Sequence, residues 1–223
     1  MKSIDYKNWA EYIIDVAKTY GIETKNVLEL GSGNCLLSER ISGNFDNIFL
    51  SDNSFFMLNS NSIQLDKVCC DMTLLPFKTK FDFIFSTFDS INYLTEEELL
   101  KKLFSEIKNV LSKKGIFTFD VSLEVNSINN LKHLNRKGKY EGVKYIQKSY
   151  YNKDEKIHYN FFEIILESGE KIEEIHKQRI YDFEDYFKVI YDSGLMVKDC
   201  FDAFTFNDAK SSCERVQFVV KHK

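Results

Sequence analysis

Val27-Leu28-Glu29-Leu30-Gly31-Ser32-Gly33-Asn34-Cys35 is a short apolar run that breaks into a glycine turn, and the next apolar run, Ile48 to Leu50, is followed by an acidic residue, Asp52. Gly31 and Gly33 tolerate positive φ and carry no Cβ, so a ligand can lie against the main chain where a strand hands over to a helix. A carboxylate at the tip of the second strand suits a ribose diol, because its two oxygens can accept both hydroxyl protons. Turn and acid together point to a cofactor that contains a nucleoside.

Outward from this turn, strands and helices alternate. Trp9, Ile13, Val16 and Ala17 have helical spacing within Tyr6 to Tyr20, and Gly21 is a terminator. Val27 to Leu30 reads as a strand, Leu36 to Ile41 as a helix, Ile48 to Leu50 as a strand and Phe55 to Ile63 as a helix. Lys67 to Cys70 and Phe81 to Ser86 follow as strands. Thr95-Glu96-Glu97-Glu98 has the form of a capping box, with Leu99, Leu103, Ile107, Val110 and Leu111 on one face behind it. Lys113 and Lys114 suit the C-terminal end of that helix, Gly115 its stop, and Ile116 to Val121 the next strand. The alternation predicts an α/β fold with a doubly wound, mostly parallel sheet.

Between Ser122 and Tyr181 the pattern changes to a polar, basic loop and then three antiparallel strands, Tyr145 to Tyr151, Ile157 to Glu167 and Lys171 to Tyr181. We expect residues 1–121 and 182–223 to form the core. Residues 122–181 are expected to be an antiparallel β insertion covering the carboxyl edge of the sheet, where open α/β sheets bind ligands. Asp182 then caps a helix that turns Phe183, Tyr186, Phe187 and Ile190 inward and stops at Gly194; Val197 to Phe201 and Val216 to Val220 complete the sheet.

The 223 residues suffice for one sizeable α/β domain. Five cysteines, an odd number without C-x-x-C spacing, fit free thiols in a reducing compartment. No apolar run approaches the roughly 20 residues of a membrane helix, and Met1-Lys2-Ser3-Ile4-Asp5 lacks a signal-peptide core, so a cytoplasmic protein without a membrane partner is expected. Lys132, His133, Arg136, Lys137, Lys139, Lys144 and Lys148 are interleaved with tyrosines, in the manner of a basic, aromatic strip for RNA. The acidic stretch that follows, Asp154, Glu155, Glu163, Glu167, Glu170, Glu173 and Glu174, would repel a phosphate backbone, so nucleic acid is disfavoured as a partner.

The dinucleotide fingerprint requires a third glycine where Leu36 stands, and G-x-x-x-x-G-K-[ST] is absent, which disfavours NAD, FAD, ATP and GTP. A phosphate-free adenosine derivative remains. From about Tyr6 to Val220 the chain resembles the class I S-adenosylmethionine-dependent methyltransferases. Glu29-Leu30-Gly31-Ser32-Gly33 matches their glycine motif, and Asp52-Asn53-Ser54-Phe55-Phe56-Met57-Leu58 their second. Asp71-Met72 with Leu75-Pro76-Phe77 matches their third motif, and Phe81 to Phe85 with Asp89-Ser90-Ile91-Asn92-Tyr93-Leu94 their fourth. The resemblance implies a seven-stranded Rossmann-like sheet and S-adenosyl-L-methionine as cofactor. Gly31 and Gly33 would lie under its methionine and ribose, with Asp52 on the ribose hydroxyls. Asp71 would accept from the adenine amino group beside Met72, Ser86 would line the pocket, and Glu29, Asn53 and Met57 would complete the cofactor site; no metal is implied.

Cys35 stands where relatives often have a glycine, so its side chain is expected to crowd the amino-acid end of the cofactor. Only five residues precede Tyr6, so a partial lid is expected. His176-Lys177-Gln178-Arg179 is similar to an H-x-x-R of a small-molecule branch that includes aminosugar N-methyltransferases, and Asn92 stands where those enzymes carry a histidine. In a strand His176 and Arg179 have opposite parity and face opposite sides. The expected activity is methyl transfer to a nitrogen or oxygen of a small molecule by in-line displacement, with Asn92 orienting the acceptor by hydrogen bond and His176, of unperturbed pKa about 6.5, taking its proton. A cofactor-binding module without turnover and an RNA methyltransferase are the alternatives.

Overall fold

The computed structural model describes residues 5–22, 25–140 and 142–223; Met1 to Ile4, read for a leader, lie outside them. In chain order the elements are α1 (Tyr6–Thr19), β1 (Val27–Leu30), α2 (Leu36–Ile41), β2 (Ile48–Asp52), α3 (Phe55–Asn59), β3 (Asp66–Cys69), β4 (Phe81–Ser86), α4 (Glu97–Val110) and β5 (Leu111–Ser122). There follow α5 (Glu124–Leu134), β6 (Arg136–Tyr140), β7 (Val143–Asn152), β8 (Ile157–Ile165), β9 (Lys171–Arg179), α6 (Phe183–Asp192), β10 (Leu195–Asp202) and β11 (Arg215–His222).

Seven strands form one sheet in the order β10-β11-β5-β4-β1-β2-β3, parallel except for β11, which runs antiparallel to both its neighbours. The expected α/β class, with its mostly parallel seven-stranded sheet and an added antiparallel sheet, is what the chain adopts. β1 is central, with Leu30 in register with Ser51 of β2 and Ser86 of β4. Every β1 residue is buried, as a strand covered on both faces requires. That register places Gly31 at the carboxyl edge of the sheet, beside Asp52 at the end of β2.

Helices α4 and α6 cover one face, where Phe104, Ile107, Tyr186 and Ile190 pack on Phe117, Phe119 and Phe218. The Phe119 ring is stacked between Phe117 and Phe218 at centroid distances of 5.0 and 5.1 Å. The other face carries α1 and α2, with Ile13, Val16, Leu37 and Ile41 against Phe83, Phe85 and Val219. Among the described residues no helix is long and apolar enough to cross a membrane.

The four strands β6 to β9 form a separate antiparallel sheet, with His158 opposite Gln178 and Asn160 opposite His176. Three local readings are corrected. The stretch read as a basic loop holds α5 and the edge strand β6, which mixed polar residues conceal from an apolar-periodicity reading. Helix α4 begins at Glu97 rather than at a Thr95 capping box; Glu96 is its N-cap, and its carbonyl accepts from Leu99 and Leu100. The same helix ends at Val110, and Gly115 lies inside β5: a Cβ there would stand 2.9 Å from the carbonyl oxygens of Phe81 and Asp82, so this glycine allows two strands to approach rather than stopping a helix.

Phe119 fills the middle of the aromatic stack, so Phe119→Ala is expected to cost about 3 to 5 kcal/mol of stability. Urea unfolding followed by circular dichroism measures this, and a loss below about 1 kcal/mol would place the core weight elsewhere.

Candidate active site

The glycine turn is tied down by its own strand edge. Gly31 and Gly33 have φ of 68° and 52°, and Gly33 N–H donates to Asp52 Oδ2 at 2.7 Å. Asp52 Oδ1 accepts from Ser54 N–H at 2.8 Å. A carboxylate offers about four acceptor positions, so two bonds leave it capacity for two more donors, which is what a ribose diol supplies. A Cβ at Gly31 would stand 2.8 Å from Ser90 Oγ, so Gly31 is required by close approach as well as by φ. A Cβ at Gly33 would meet nothing nearer than the Met57 methyl at 3.5 Å; the surface above it is open main chain. Met72 also reaches the turn, with its methyl 3.8 Å from that hypothetical Cβ of Gly31. Asn53 and Asp71 are exposed alongside. Asp71 Oδ1 accepts from Thr73 N–H and Oγ1–H at 2.7 and 2.8 Å, and its other oxygen has no partner among the described residues.

Three expectations for this cradle are corrected. Ser86 is 1% exposed and its hydroxyl donates to Leu30 O at 3.0 Å, so it joins β4 to β1 and has no surface with which to line a pocket. Glu29 is likewise 1% exposed and accepts from the Ser38 hydroxyl of α2; its side chain lies beneath the turn and cannot reach a ligand above it. Cys35 has φ 61°, where glycine would be unstrained, yet its side chain is fully buried against the layer of α1 and α2 and does not crowd the cradle.

A second recess, of about 900 Å³, opens between the carboxyl edge of the large sheet and the inner face of the antiparallel one. Asp89, Tyr93 and Ser122 line it from the core side, His158, His176 and Gln178 from the cover. It meets the cradle at one wall, since Ser90 touches the glycine turn while Asp89 lines the recess. Phe88 and Asp89 leave β4 with φ of 61° and 50°, two non-glycine residues in the left-handed region. Trp9 and Tyr6 of α1 brace this elbow, with ring centroids 4.7 and 5.5 Å from Phe88.

Asp89 Oδ2 accepts from Ser122 Oγ at 3.0 Å and from Gln178 Nε2 at 2.9 Å, and Oδ1 pairs with Arg215 Nη2 at 3.1 Å. Arg215 also pairs with the buried Asp120, whose carboxylate accepts from Asp89 N–H at 2.9 Å. Burial pushes the Asp120 carboxyl up and Arg215 opposes it. Sequence reasoning missed Asp120, Arg215, Gln178 and His158. The one signal was a carboxylate within the apolar run Ile116 to Val121.

The two residues expected to act on the acceptor are not placed alike. Asn92 is fully buried and its amide is committed: Nδ2 donates to Arg179 O at 2.7 Å and Ser122 O at 3.2 Å, while Oδ1 accepts from Ser122 N–H at 3.0 Å. It ties β9 to β5 and cannot orient an acceptor. His176 lies on the recess wall, with Nδ1 2.9 Å from Tyr93 Oη and Nε2 3.3 Å from Glu174 Oε2. The Tyr93 phenol is pushed up to about 12 by desolvation and by the charges of Asp89 and Glu174. Arg179 points to the other side, donating to Glu155 O at 2.8 Å, as strand parity requires.

Residues 27–115 match the family model described as a methyltransferase domain. A Geobacillus sp. (strain WCH70) protein provisionally named a methyltransferase is 25% identical over 99% of this chain and 94% of its own length. An S-adenosylmethionine-dependent methyltransferase from Clostridium acetobutylicum ATCC 824 superposes with a TM-score of 0.84 at 24% identity, over 99% of this chain and 93% of its own. An S-adenosylmethionine-bound amino pentose methyltransferase from Micromonospora echinaspora, CalS10, gives 0.73 at 13% identity, over 100% and 93%. Residues 27–115 are thus a methyltransferase domain, and the chain has the fold of S-adenosylmethionine-dependent methyltransferases. S-adenosylmethionine is the methyl donor named for these neighbours of the same fold.

Burial pushes the Glu29 carboxyl up to about 7, against the Ser38 hydrogen bond and with the charge of Asp52 adding to the effect. Its folded pKa thus lies above the unfolded value of 4.5, so the native state binds the extra proton between those limits and loses stability as pH rises through them. The cost reaches about 3 kcal/mol above pH 7. Glu29→Gln is expected to be no more stable than wild type at pH 4 and progressively more stable toward pH 8, by denaturant unfolding at each pH. A pH-independent difference would contradict this.

Proposed function

We propose that the chain methylates a nitrogen or oxygen nucleophile of a small polar molecule held in the recess between the two sheets. Residues 122–181 act as the substrate cover on the core formed by 1–121 and 182–223. The observation that carries the reading is the shared wall, with cradle and recess meeting at Asp89-Ser90. In this reading Gly31 and Gly33 bed the cofactor and Asp52 takes its ribose hydroxyls. Asp71 and Met72 take the adenine, and Asn53 and Met57 close the rim. These residues fit the group by their chemistry: bare main chain above Gly33, and carboxylates at Asp52 and Asp71 with unused acceptor positions.

The bound cofactor supplies an already activated methyl group on a sulfonium. The chain's task is then alignment and exclusion of water, which can lower the barrier substantially. Tyr93 and His176 share one hydrogen bond and Glu174 holds the far nitrogen of the ring. With the phenol donating to Nδ1, the lone pairs of Tyr93 Oη are left to accept from the acceptor's N–H or O–H. His176 is in this arrangement a positioning residue. Carboxylates at Asp89 and Glu174 favour an acceptor with a cationic amine, and the CalS10 enzyme of the same fold is named for an amino pentose.

Calorimetric titration with S-adenosylmethionine tests the cofactor assignment. Asp52→Ala is expected to weaken binding by about 1.5 to 3 kcal/mol, roughly 10- to 150-fold, without unfolding the chain. Unchanged affinity would put the ribose elsewhere.

A further inference from the structure

His158 stands on the inner face of β8, opposite Gln178, and lines the recess. It is 4% exposed, and its buried Nε2 has no hydrogen-bond partner among the described residues. A buried polar atom left unpaired costs stability, and native structures keep few of them. Polar groups on the strands beside it bond elsewhere. Gln178 donates to Asp89, Tyr151 to Glu124, and Gln147 to Asn160. Among the ionisable residues of the recess, Asp89 and Arg215 bond each other, Arg136 holds Gln147, and Glu174 faces His176. Tyr93, bonded to His176, and His133 on α5 complete the set. Among the described residues no protein group bonds His158 Nε2, and a polar molecule in the recess could.

We propose that His158 contacts the methyl acceptor directly and takes the proton that its ammonium group must lose. The inference rests on the proposed small-molecule activity and adds the group that frees the lone pair. In the step one N–H bond of the acceptor ammonium breaks and one forms on the imidazole; the unit of positive charge passes from acceptor to ring, and the nitrogen lone pair becomes available for attack. The ring is suited to receive it: burial holds His158 below its ordinary 6.5, partly offset by Asp89, so it is neutral at pH 7. Asp89 then stabilises the imidazolium that forms. An alkyl ammonium, near the ~10.4 of lysine, is within reach of such a base, whereas an alcohol, close to the 15.7 of water, is about five units further away. His158 thus selects amines over hydroxyls, while Tyr93 orients them.

The full chain is assayed for S-adenosylhomocysteine formation with matched amines and alcohols: 2-aminoethanol against ethylene glycol, and glucosamine against glucose. Turnover of an amine is expected, with His158→Asn lowering kcat/KM by about 10²-fold at unchanged S-adenosylmethionine affinity and melting temperature. Wild-type kcat/KM should fall as pH drops below 6.5, where the protonated ring accepts nothing, and His158→Asn should lack that limb. His158→Gln, which keeps hydrogen bonding without basicity, should recover KM more than kcat. Turnover confined to alcohols, or full amine activity in His158→Asn, overturns the inference and leaves the methyltransferase reading standing. Cofactor binding with no turnover of any pair overturns both. Independently of any substrate, ¹⁵N-histidine NMR of the unmodified protein should show His158 titrating below 6.5; a value at or above it overturns the inference alone.

Discussion

The carboxylate of Asp89 is the point on which both sheets bear. It holds Ser122 at the end of β5, Arg215 at the start of β11 and Gln178 from the antiparallel cover, and Arg215 carries the bond on to buried Asp120. Buried charges are tolerable only when each is paired, and removal of one partner typically costs about 3 to 5 kcal/mol because the other is left uncompensated. This arrangement is therefore hard to rearrange piecemeal. It also explains why Phe88 and Asp89 keep left-handed backbone without glycine: four side-chain partners and the Trp9 and Tyr6 rings overdetermine the elbow. The cover is thus tied to the core by polar bonds, from Gln178 to Asp89 and from Asn92 to the Arg179 carbonyl.

From that fixed point the rest of the site follows by short steps. Asp89 is one residue from Ser90, whose hydroxyl fills the space a Gly31 side chain would need. The glycine turn and the wall of the recess are consequently set by the same few residues, and the proposed reaction, which depends on alignment, would benefit directly. Glu29 shows the opposite side of this economy. Its carboxyl supports α2 through Ser38 beneath the turn, at the cost of a raised pKa, and takes no part above it.

Much of this architecture was legible in the sequence wherever one local signal dominated. β4 begins and ends where the apolar run Phe81 to Ser86 predicts, and α2 spans Leu36 to Ile41 as its pattern requires. Failures came where competing local signals overlapped. Thr95-x-x-Glu98 has capping chemistry, but Glu96 takes the cap because the chain enters the helix one residue later. Gly115 looked like a stop because a close strand approach leaves no mark in a one-dimensional pattern. Helix α5 has a weakly apolar face, Ser127 being its one buried residue, so periodicity could not reveal it. For the site, Asp52 and the glycines are adjacent to a strand end and announce themselves. Asp89, Arg215 and Gln178 lie far apart in the chain and meet only after folding, which no spacing rule encodes. Asn92 illustrates the reverse error, since a polar residue after a strand is as readily a brace as a reagent.

The cover's chemistry is set by parity. In β8 and β9 alternate residues face the recess, so His158, Asn160 and Phe162 look inward across from Gln178, His176 and Glu174, while Tyr159, Phe161, Ile175 and Lys177 look out. A slip of one residue in either strand would replace imidazoles and amides with aromatic and aliphatic groups. The slip is resisted by polar bonds at fixed positions: Gln178 to Asp89 from β9, and Asn92 to the Arg179 carbonyl at its end. Core side chains therefore dictate which face of the cover lines the recess. Asn92, a buried amide, contributes by holding the end of β9, and with it His176 and Gln178, in register.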